Sequence, residues 1–213
     1  MEKEPLGRMR KQLDEAVRVL GSGGVVAFPT DTVYGLGAFL DCDTAIEKVF
    51  HIKGRSSQKA LPVLIDGLSR LDEIVSEVTP VARELMLKYW PGALTLIFKK
   101  SKNIADLVTG GNNTVAVRWP DHPVPVQMIK MSGRLICGTS ANLTGHKNLH
   151  DAQSVKFQLG NLVDYILDTG PAPSGIESTI IDVSTAMPKL VREGKIDVRI
   201  IERIFKSSGG SNE

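Results

Sequence analysis

Two threonines and an aspartate directly follow a short apolar run near the start of the chain. The run from Val25 to Phe28 has the composition of a buried strand, and it ends at Pro29 before Thr30, Asp31 and Thr32. Polar side chains at strand ends of α/β proteins often belong to binding sites, and hydroxyls with a carboxylate could bind a small polar molecule. The alternative is a Ser/Thr or Asx turn that satisfies its own backbone, and this segment alone favours the turn.

A second group consists of cations that no neighbouring acid offsets. Between Lys48 and Ile65 the chain has no acidic residue and four basic ones, which are Lys48, Lys53, Arg55 and Lys59. Such a run is usually a solvated turn, but these cations could also neutralise a polyphosphate, together with Arg192 from a distant predicted strand. The chain has neither GxGxxG nor GxxxxGK[ST]. A bound nucleotide would therefore be held by side-chain cations.

Further polar residues lie in or just after predicted strands. Arg118 alternates with Val115 and Val117, so its guanidinium is predicted on the opposite face, where it could bind a carboxylate or form a structural salt bridge. Neutral hydrogen-bonding groups come from Ser140, Asn142 and Ser178. No residue of this set has the sequence surroundings of an activated nucleophile. The pattern predicts binding and charge stabilisation in a cleft where these loops converge.

Composition narrows the class of protein. The chain has 213 residues, of which 42% are hydrophobic and 23% charged, as in ordinary soluble globular proteins. No apolar run could span a membrane, and the start lacks an apolar signal segment, so we expect a cytoplasmic protein without membrane contact. A net charge of +2 and 5% aromatic residues argue against a general nucleic-acid coat. Cysteine and histidine spacings predict reduced thiols and no structural metal.

Hydrophobic periodicity predicts helices interleaved with strands. Helices are predicted around residues 9–20, after an N-cap at Asp43, after Thr79-Pro80, at 123–131, from a cap at Asp151 to 159, and at 197–205. Strands are predicted at 25–28, 60–65, 93–100, 114–119, 134–137, 163–168, 178–183 and 189–193. Two pairs of consecutive strands lack a helix between them, which predicts an α/β fold with a mixed sheet flanked by helices. We expect one domain over residues 1–205 and a flexible tail over 206–213.

Seven segments, read in order, resemble the YrdC-type family of threonylcarbamoyl-AMP synthases. They run from about residue 10 to 195 and are "GGVVAFPTDTVYGLG", "KGR" at 53–55, "WPGALTLI", "NNTVAVRWPDHP", "TSANLTG", "GIESTIIDVS" and "LVREG". The resemblance implies an open, twisted mixed sheet around a deep basic cavity. It also implies the short form of the family, without the extra C-terminal domain.

The resemblance further implies an activity and a set of site residues. The family makes threonylcarbamoyl-AMP and pyrophosphate from L-threonine, bicarbonate and ATP with Mg²⁺. A partner transferase then modifies tRNA beside the anticodon, and tRNA itself is a second candidate partner. Carried over by motif, the threonine site comprises Thr32, Arg118, Gly138 and Ser178. The ATP site comprises Arg55, Lys59, Thr114, Ser140, Asn142, Asn148 and Arg192, and the catalytic role falls to Lys53 and Arg55.

The chain departs from the family pattern at a few positions. Ser56 and Ala60 replace frequent prolines, and Leu64 replaces a histidine that touches threonine in some members, so that contact is expected to be lost. With Thr32 reading the substrate hydroxyl, serine is the expected competitor. Two alternatives stay open: a relative that binds RNA or a nucleotide without making the adenylate, and a carbamoyl-transfer enzyme with another acceptor. Steep salt dependence of binding would indicate the RNA-binding alternative.

Overall fold

A computed structural model of the protein describes residues 3–199. Within them lie seven α-helices: α1 Lys3–Gly21, α2 Asp43–Lys53, α3 Leu71–Ile74, α4 Pro80–Tyr89, α5 Asp106–Thr109, α6 Pro123–Ser132 and α7 Ala152–Leu159. The strands of the same part of the chain are β1 Val26–Phe28, β2 Gly35–Phe39, β3 Val63–Leu64, β4 Leu94–Lys99, β5 Thr114–Arg118, β6 Ile136–Ser140, β7 Tyr165–Ile166, β8 Thr179–Asp182 and β9 Lys189–Arg192.

All these strands form one open sheet in the order β7-β1-β2-β6-β3-β5-β4-β8-β9. The pairs β1–β7, β3–β5 and β4–β8 are parallel, and the other neighbours are antiparallel. Consecutive strands joined without a long crossover, such as β1–β2 and β8–β9, pair antiparallel because a short connection reverses the chain. The prediction of a mixed sheet with helices packed on it is confirmed.

Two of the three predicted helix caps are confirmed. The Thr79 hydroxyl accepts from Ala82 N (3.3 Å), and the Asp151 carboxylate accepts from Ser154 N (2.7 Å). The cap predicted at Asp43 is wrong by one residue, because Cys42 is the N-cap and Asp43 begins α2. A carboxylate in the first turn still interacts favourably with the helix dipole.

Differences from the predicted strands arise from close packing. Strand β2 was not predicted because "GLGAF" is rich in glycine, and the sheet needs that glycine. A Cβ at Gly37 would lie 2.8 Å from Ile136 Cγ2 and 3.1 Å from Phe28 Cε1. The strand predicted at 60–65 is shorter in the structure, where only β3, Val63–Leu64, pairs with neighbouring strands. Leu61 N instead donates to Val108 O, which lies outside the sheet. Most of the helix predicted at 197–205 and the tail at 206–213 lie outside the described residues, so the domain boundary stays a prediction.

Strand β5 shows how the sheet separates core from cavity. Val115 and Val117 are buried in the hydrophobic core, whereas Ala116 and Arg118 line a cavity on the other face, as the alternation predicted. Cys42 and Cys137 are free thiols. No helix in residues 3–199 combines the length and hydropathy that a membrane span requires.

Candidate active site

Two adjoining cavities open beside the sheet. The outer cavity has a volume of about 660 Å³ and the inner cavity about 220 Å³. They share five lining residues, which are Arg55, Thr139, Ser140, Glu177 and Arg192. Three lysines, Lys53, Lys59 and Lys147, also line the outer cavity. The inner wall is mixed, with apolar side chains such as Phe28, Leu64 and Ile97 beside the polar Thr30, Thr32, Thr95, Arg118 and Ser178.

Arg118 lines the inner cavity and is only 7% exposed. Its Nε donates to Gly92 O (3.1 Å), its Nη1 to Thr32 Oγ1 (2.9 Å), and its Nη2 to Asp31 Oδ1 (2.6 Å). A guanidinium has five N–H groups, so these contacts leave one on each Nη, a fork suited to a carboxylate. Burial lowers the pKa of Arg118, and Asp31 opposes that shift. The salt-bridge interpretation of this arginine is confirmed, and carboxylate binding stays a prediction that is compatible with it, because the salt bridge leaves the fork free.

Thr30 and Thr32, the two threonines that follow β1, differ in how fully their hydroxyl groups are hydrogen-bonded. Thr30 Oγ1 accepts from the backbone N of Thr32 (3.1 Å) and of Val33 (3.3 Å), and donates to Val33 O (2.7 Å). This is the self-satisfied turn. With that proton committed, the 3.0 Å contact between the two hydroxyls needs Thr32 as donor. Because Thr32 also accepts from Arg118, one lone pair of its oxygen remains for a ligand.

Ser178 lines the inner cavity and is hydrogen-bonded to residues of two strands, β4 and β9. Its hydroxyl lies 2.8 Å from Thr95 Oγ1, and Arg192 Nη2 donates to both Ser178 O (2.9 Å) and Ser178 Oγ (3.2 Å). Arg192 Nη1 also donates to Glu177 Oε2 (2.8 Å). A Cβ at Gly194 would overlap the backbone of residues 177–179, so the chain after β9 packs directly on this segment.

Gly138 belongs to the wall of the inner cavity. Its N–H donates to Pro62 O (2.9 Å), and a Cβ added there would lie 3.2 Å from Leu36 O. That distance is tighter than usual Cβ contacts, so a side chain would crowd β2 as well as the cavity. Backbone geometry therefore explains a glycine at this position.

Lys53 holds the loop after β6. It ends α2, is 4% exposed, and its Nζ donates to Ser140 O (2.6 Å) and Asn142 Oδ1 (2.7 Å), with Ser140 Oγ at 3.4 Å. Asn142 Nδ2 in turn donates to His146 O (2.6 Å). Burial, with a smaller effect of Arg55, lowers the pKa of Lys53 to about 8. All three N–H groups point at the loop, so Lys53 acts as a positioning residue in this conformation.

Arg55 connects the two cavities. Gly54 adopts the left-handed conformation (φ 56°) that terminates α2 and turns the chain so that Arg55 lines both cavities. Its Nη1 donates to Thr139 Oγ1 (3.4 Å) and its Nη2 to Ala60 O (3.2 Å), while its buried Nε has no partner in the described structure. Burial, and secondarily Arg192, lowers the pKa of Arg55. An unpaired buried donor beside a cavity is a candidate ligand contact.

The structure brings all but one of the predicted site residues together. The inner cavity is lined by Thr32, Arg118, Gly138 and Ser178, and the outer cavity by Lys53, Arg55, Lys59, Ser140, Asn142, Asn148 and Arg192. Thr114 is the exception, because it pairs with Lys99 at the start of β5 and lines a separate cavity. Four residue-to-residue steps along the strand, about 13 Å, separate it from Arg118 at the other end of β5.

Several cavity residues were missed by sequence reasoning. Thr95, Thr139, Lys147 and Glu177 also line the cavities. Two of them could have been found from the sequence. Glu177 precedes Ser178 within "GIESTI", and Thr95 is a polar residue inside the apolar run "ALTLI". Among residues 3–199, Glu177 is the sole carboxylate lining either cavity, and no group of three or more metal-ligating side chains occurs there.

Known proteins match this chain over most of its length. The family model for Sua5, YciO and YrdC, described as telomere recombination, matches residues 18–194. The threonylcarbamoyl-AMP synthase of Bacillus subtilis (strain 168) is 40% identical over 195 residues, covering 91% of this chain and 56% of the relative. The protein of that name from Pyrococcus abyssi (strain GE5 / Orsay) is 35% identical, covering 92% and 59%. The chain therefore spans less than two thirds of these relatives.

Solved structures share the fold. P. abyssi Sua5 complexed with L-threonine matches with a TM-score of 0.87 and 35% identity, over 90% of this chain and 56% of that one. E. coli YciO matches with a TM-score of 0.81 and 29% identity, over 89% and 92%. The family match covers both cavities and the open mixed sheet that carries them. This chain belongs to the Sua5/YciO/YrdC family.

Proposed function

We propose that this chain is a threonylcarbamoyl-AMP synthase, which joins L-threonine, bicarbonate and ATP into threonylcarbamoyl-AMP and pyrophosphate. The observation that carries the proposal is the shared wall of the two cavities: an arginine fork lies in one, a cluster of cations lies in the other, and Arg55 lines both. Two relatives carry this name, and a related Sua5 has been solved with L-threonine. These likenesses support the same assignment.

The inner cavity offers partners for three of the four groups of L-threonine. The free fork of Arg118 would bind the α-carboxylate, and the remaining lone pair of Thr32 would accept a hydrogen bond from the substrate hydroxyl. Apolar side chains, including Leu64, would contact the methyl group. An apolar wall discriminates a methyl group by only about 1–3 kcal/mol, so serine is the expected competitor. Valine, which would leave the Thr32 acceptor unpaired, should be rejected more strongly.

The outer cavity suits a triphosphate. Lys59, Arg55 and Arg192 supply positive charge, and Ser140, Asn142 and Asn148 supply neutral hydrogen bonds. Mg²⁺ usually binds through substrate phosphates and retained waters with few protein ligands, and this donor set is compatible with an ion held mainly by ATP. When bound, the ion would neutralise charge on the phosphates.

The reaction needs positioning rather than an enzyme nucleophile. The amine of threonine combines with carbon dioxide from bicarbonate, releasing a proton and giving a carbamate. A carbamate oxygen then forms a bond to the α-phosphorus while the bond to pyrophosphate breaks. Arg55, between the cavities, would stabilise charge on the transferring phosphoryl group, and the buried inner cavity would limit hydrolysis of the intermediates. Lys53 would contribute by holding the Ser140–Asn142 loop.

The product would supply a tRNA-modifying threonylcarbamoyl transferase. A mixed anhydride hydrolyses readily in water, so transfer to a partner soon after synthesis is expected. Both steps would take place in the cytoplasm, where tRNA is available.

Pyrophosphate release tests the proposal. The protein is incubated with ATP, Mg²⁺, L-threonine and bicarbonate, each co-substrate is omitted in turn, and the adenylate is identified by mass spectrometry. We expect release only in the complete mixture. No release would contradict the proposal for this chain, and salt-dependent binding of tRNA would then test the RNA-binding alternative.

A further inference from the structure

The ammonium group of an amino acid has no assigned partner in the site described so far. Threonine presents a carboxylate, a hydroxyl, a methyl group and an ammonium group, and the first three have been matched to Arg118, Thr32 and the apolar wall. An ammonium ion has three donors and no acceptor, so it needs oxygen acceptors inside the cavity. Leaving it without them would cost more than leaving a neutral group unpaired.

Most hydroxyl oxygens of the inner cavity are already engaged. Thr30 is bonded to the backbone around Val33. Thr95 and Ser178 bond to each other, and Ser178 Oγ also accepts from Arg192. Glu177 differs, because Arg192 bonds to Oε2, while Oε1 is engaged by no hydrogen bond within residues 3–199. This carboxylate offers a free anionic acceptor to the cavity.

The surrounding charge makes such an acceptor necessary. Three guanidinium groups line the inner cavity, those of Arg55, Arg118 and Arg192. Among residues 3–199, Arg118 is bonded to Asp31 and Arg192 to Glu177 itself, and no acid is bonded to Arg55. A cation entering beside Arg55 and Arg192 is repelled unless a carboxylate offsets them. Glu177 also acts on neighbouring cations of the cavities, since its charge partly offsets the effect of burial, which lowers the pKa of both Lys53 and Arg55.

The backbone holds Glu177 at the junction of the cavities. Its carbonyl accepts from Lys195 N (2.9 Å), and Gly194 packs against residues 177–179 with no room for a side chain. A phosphate bound to Arg192 would compete for the guanidinium that now engages Oε2. Binding of the nucleotide would thus free the carboxylate for a second cation.

We infer that Glu177 binds the α-ammonium group of the amino-acid substrate, an inference that rests on the proposed function. The residue is then a substrate-binding group and a determinant of specificity for amino acids over hydroxy acids. Carbamate formation replaces the ammonium cation with an anion. The attraction to Glu177 becomes repulsion at that step, which favours movement of the carbamate away from Glu177.

Binding measurements on two matched variants test the inference. Glu177→Gln removes the charge with little change in shape, and Glu193→Gln removes the same charge from an exposed neighbour of Arg192 that lines neither cavity. The probes are L-threonine and (R)-3-hydroxybutyrate, which lacks only the amino group. Dissociation constants are measured without ATP by calorimetry, or by NMR titration for weak binding, and thermal unfolding checks that both variants fold.

We expect Glu177→Gln to weaken L-threonine binding roughly ten- to a hundredfold, the loss of a charge-assisted hydrogen bond, and to leave (R)-3-hydroxybutyrate binding unchanged. Glu193→Gln should change neither constant. Equal weakening for both probes would overturn the inference, since Glu177 would then act only by placing Arg192 and Ser178. Unchanged threonine binding would also overturn it. If the wild-type protein binds no threonine, the proposed function fails, and the inference with it.

Discussion

The inner and outer cavities share a wall but are built differently. Polar groups of the inner cavity are paired before any ligand arrives, as Arg118 with Asp31, Thr30 with Thr32, and Thr95 with Ser178. In the outer cavity, Lys59 and Lys147 are exposed, and Glu177 is the one acid among its described lining residues. Preorganised, buried groups give selectivity, whereas exposed cations give charge attraction that salt screens. We therefore expect selectivity for the amino acid to reside in the inner cavity and salt-sensitive nucleotide affinity in the outer one.

The largest expected effect comes from removing the inner arginine. Arg118→Ala should abolish threonine binding and pyrophosphate release. It should also lower the free energy of unfolding by about 3–5 kcal/mol, because Asp31 is left buried and unpaired. Calorimetry and urea unfolding measure the two effects. Arg10→Ala, which breaks an exposed pair with Asp14, should cost well under about 1 kcal/mol, and an equal loss in both variants would contradict the distinction between buried and exposed pairs.

The next largest effect should come from Lys53, which links the end of α2 to the Ser140–Asn142 loop. Lys53→Met should lower the free energy of unfolding by about 1–3 kcal/mol at pH 7, because Ser140 O and Asn142 Oδ1 lose their donor. The folded-state pKa is lowered from 10.5 to about 8, so between these values the unfolded chain binds more protons and stability rises with pH.

The stability gap between wild type and Lys53→Met should therefore widen from pH 8 to 10. Denaturant unfolding at both values measures it. A gap that narrows would indicate that hydrogen bonding to the charged amine outweighs its burial.

A smaller change should separate hydroxyl recognition from the rest of the inner cavity. Thr32→Val removes the acceptor for the substrate hydroxyl while keeping the volume. We expect threonine affinity to fall about tenfold, and the affinity for L-2-aminobutyrate, which lacks the hydroxyl, to change little. Competition binding with both amino acids gives the ratio. A parallel fall for both would assign Thr32 to the support of Arg118 alone.

The smallest expected effect lies in the outer cavity. Lys147→Ala should weaken ATP binding severalfold at low ionic strength and less at high ionic strength, and leave threonine binding unchanged. Fluorescent nucleotide titrations at two salt concentrations measure this dependence. Equal salt sensitivity of threonine and ATP binding would remove the proposed difference between the cavities.

Local patterns were sufficient for many elements and for several polar residues that follow strands and line the cavities. Thr79-Pro80 and Asp151 marked helix starts because capping depends on neighbouring residues alone. The alternation in "TVAVR" put Arg118 on the face away from the core. Strand β2 escaped because its glycines are required by contacts with Phe28 and Ile136, which come from other strands. Thr114 was grouped with the site by motif, although an extended strand carries it to the far end.

The sequence by itself determined the mixed α/β class, the alternating faces of the strands, and which polar side chains stand at strand ends, since these follow from spacing along the chain. Only the tertiary structure decided which partners those side chains have. It pairs Arg118 with Asp31, places Lys53 where it donates hydrogen bonds to the Ser140–Asn142 loop, and puts Glu177 in the wall that the two cavities share. Those outcomes depend on contacts between residues about 15 to 90 positions apart, which pair only after the sheet has brought their strands together.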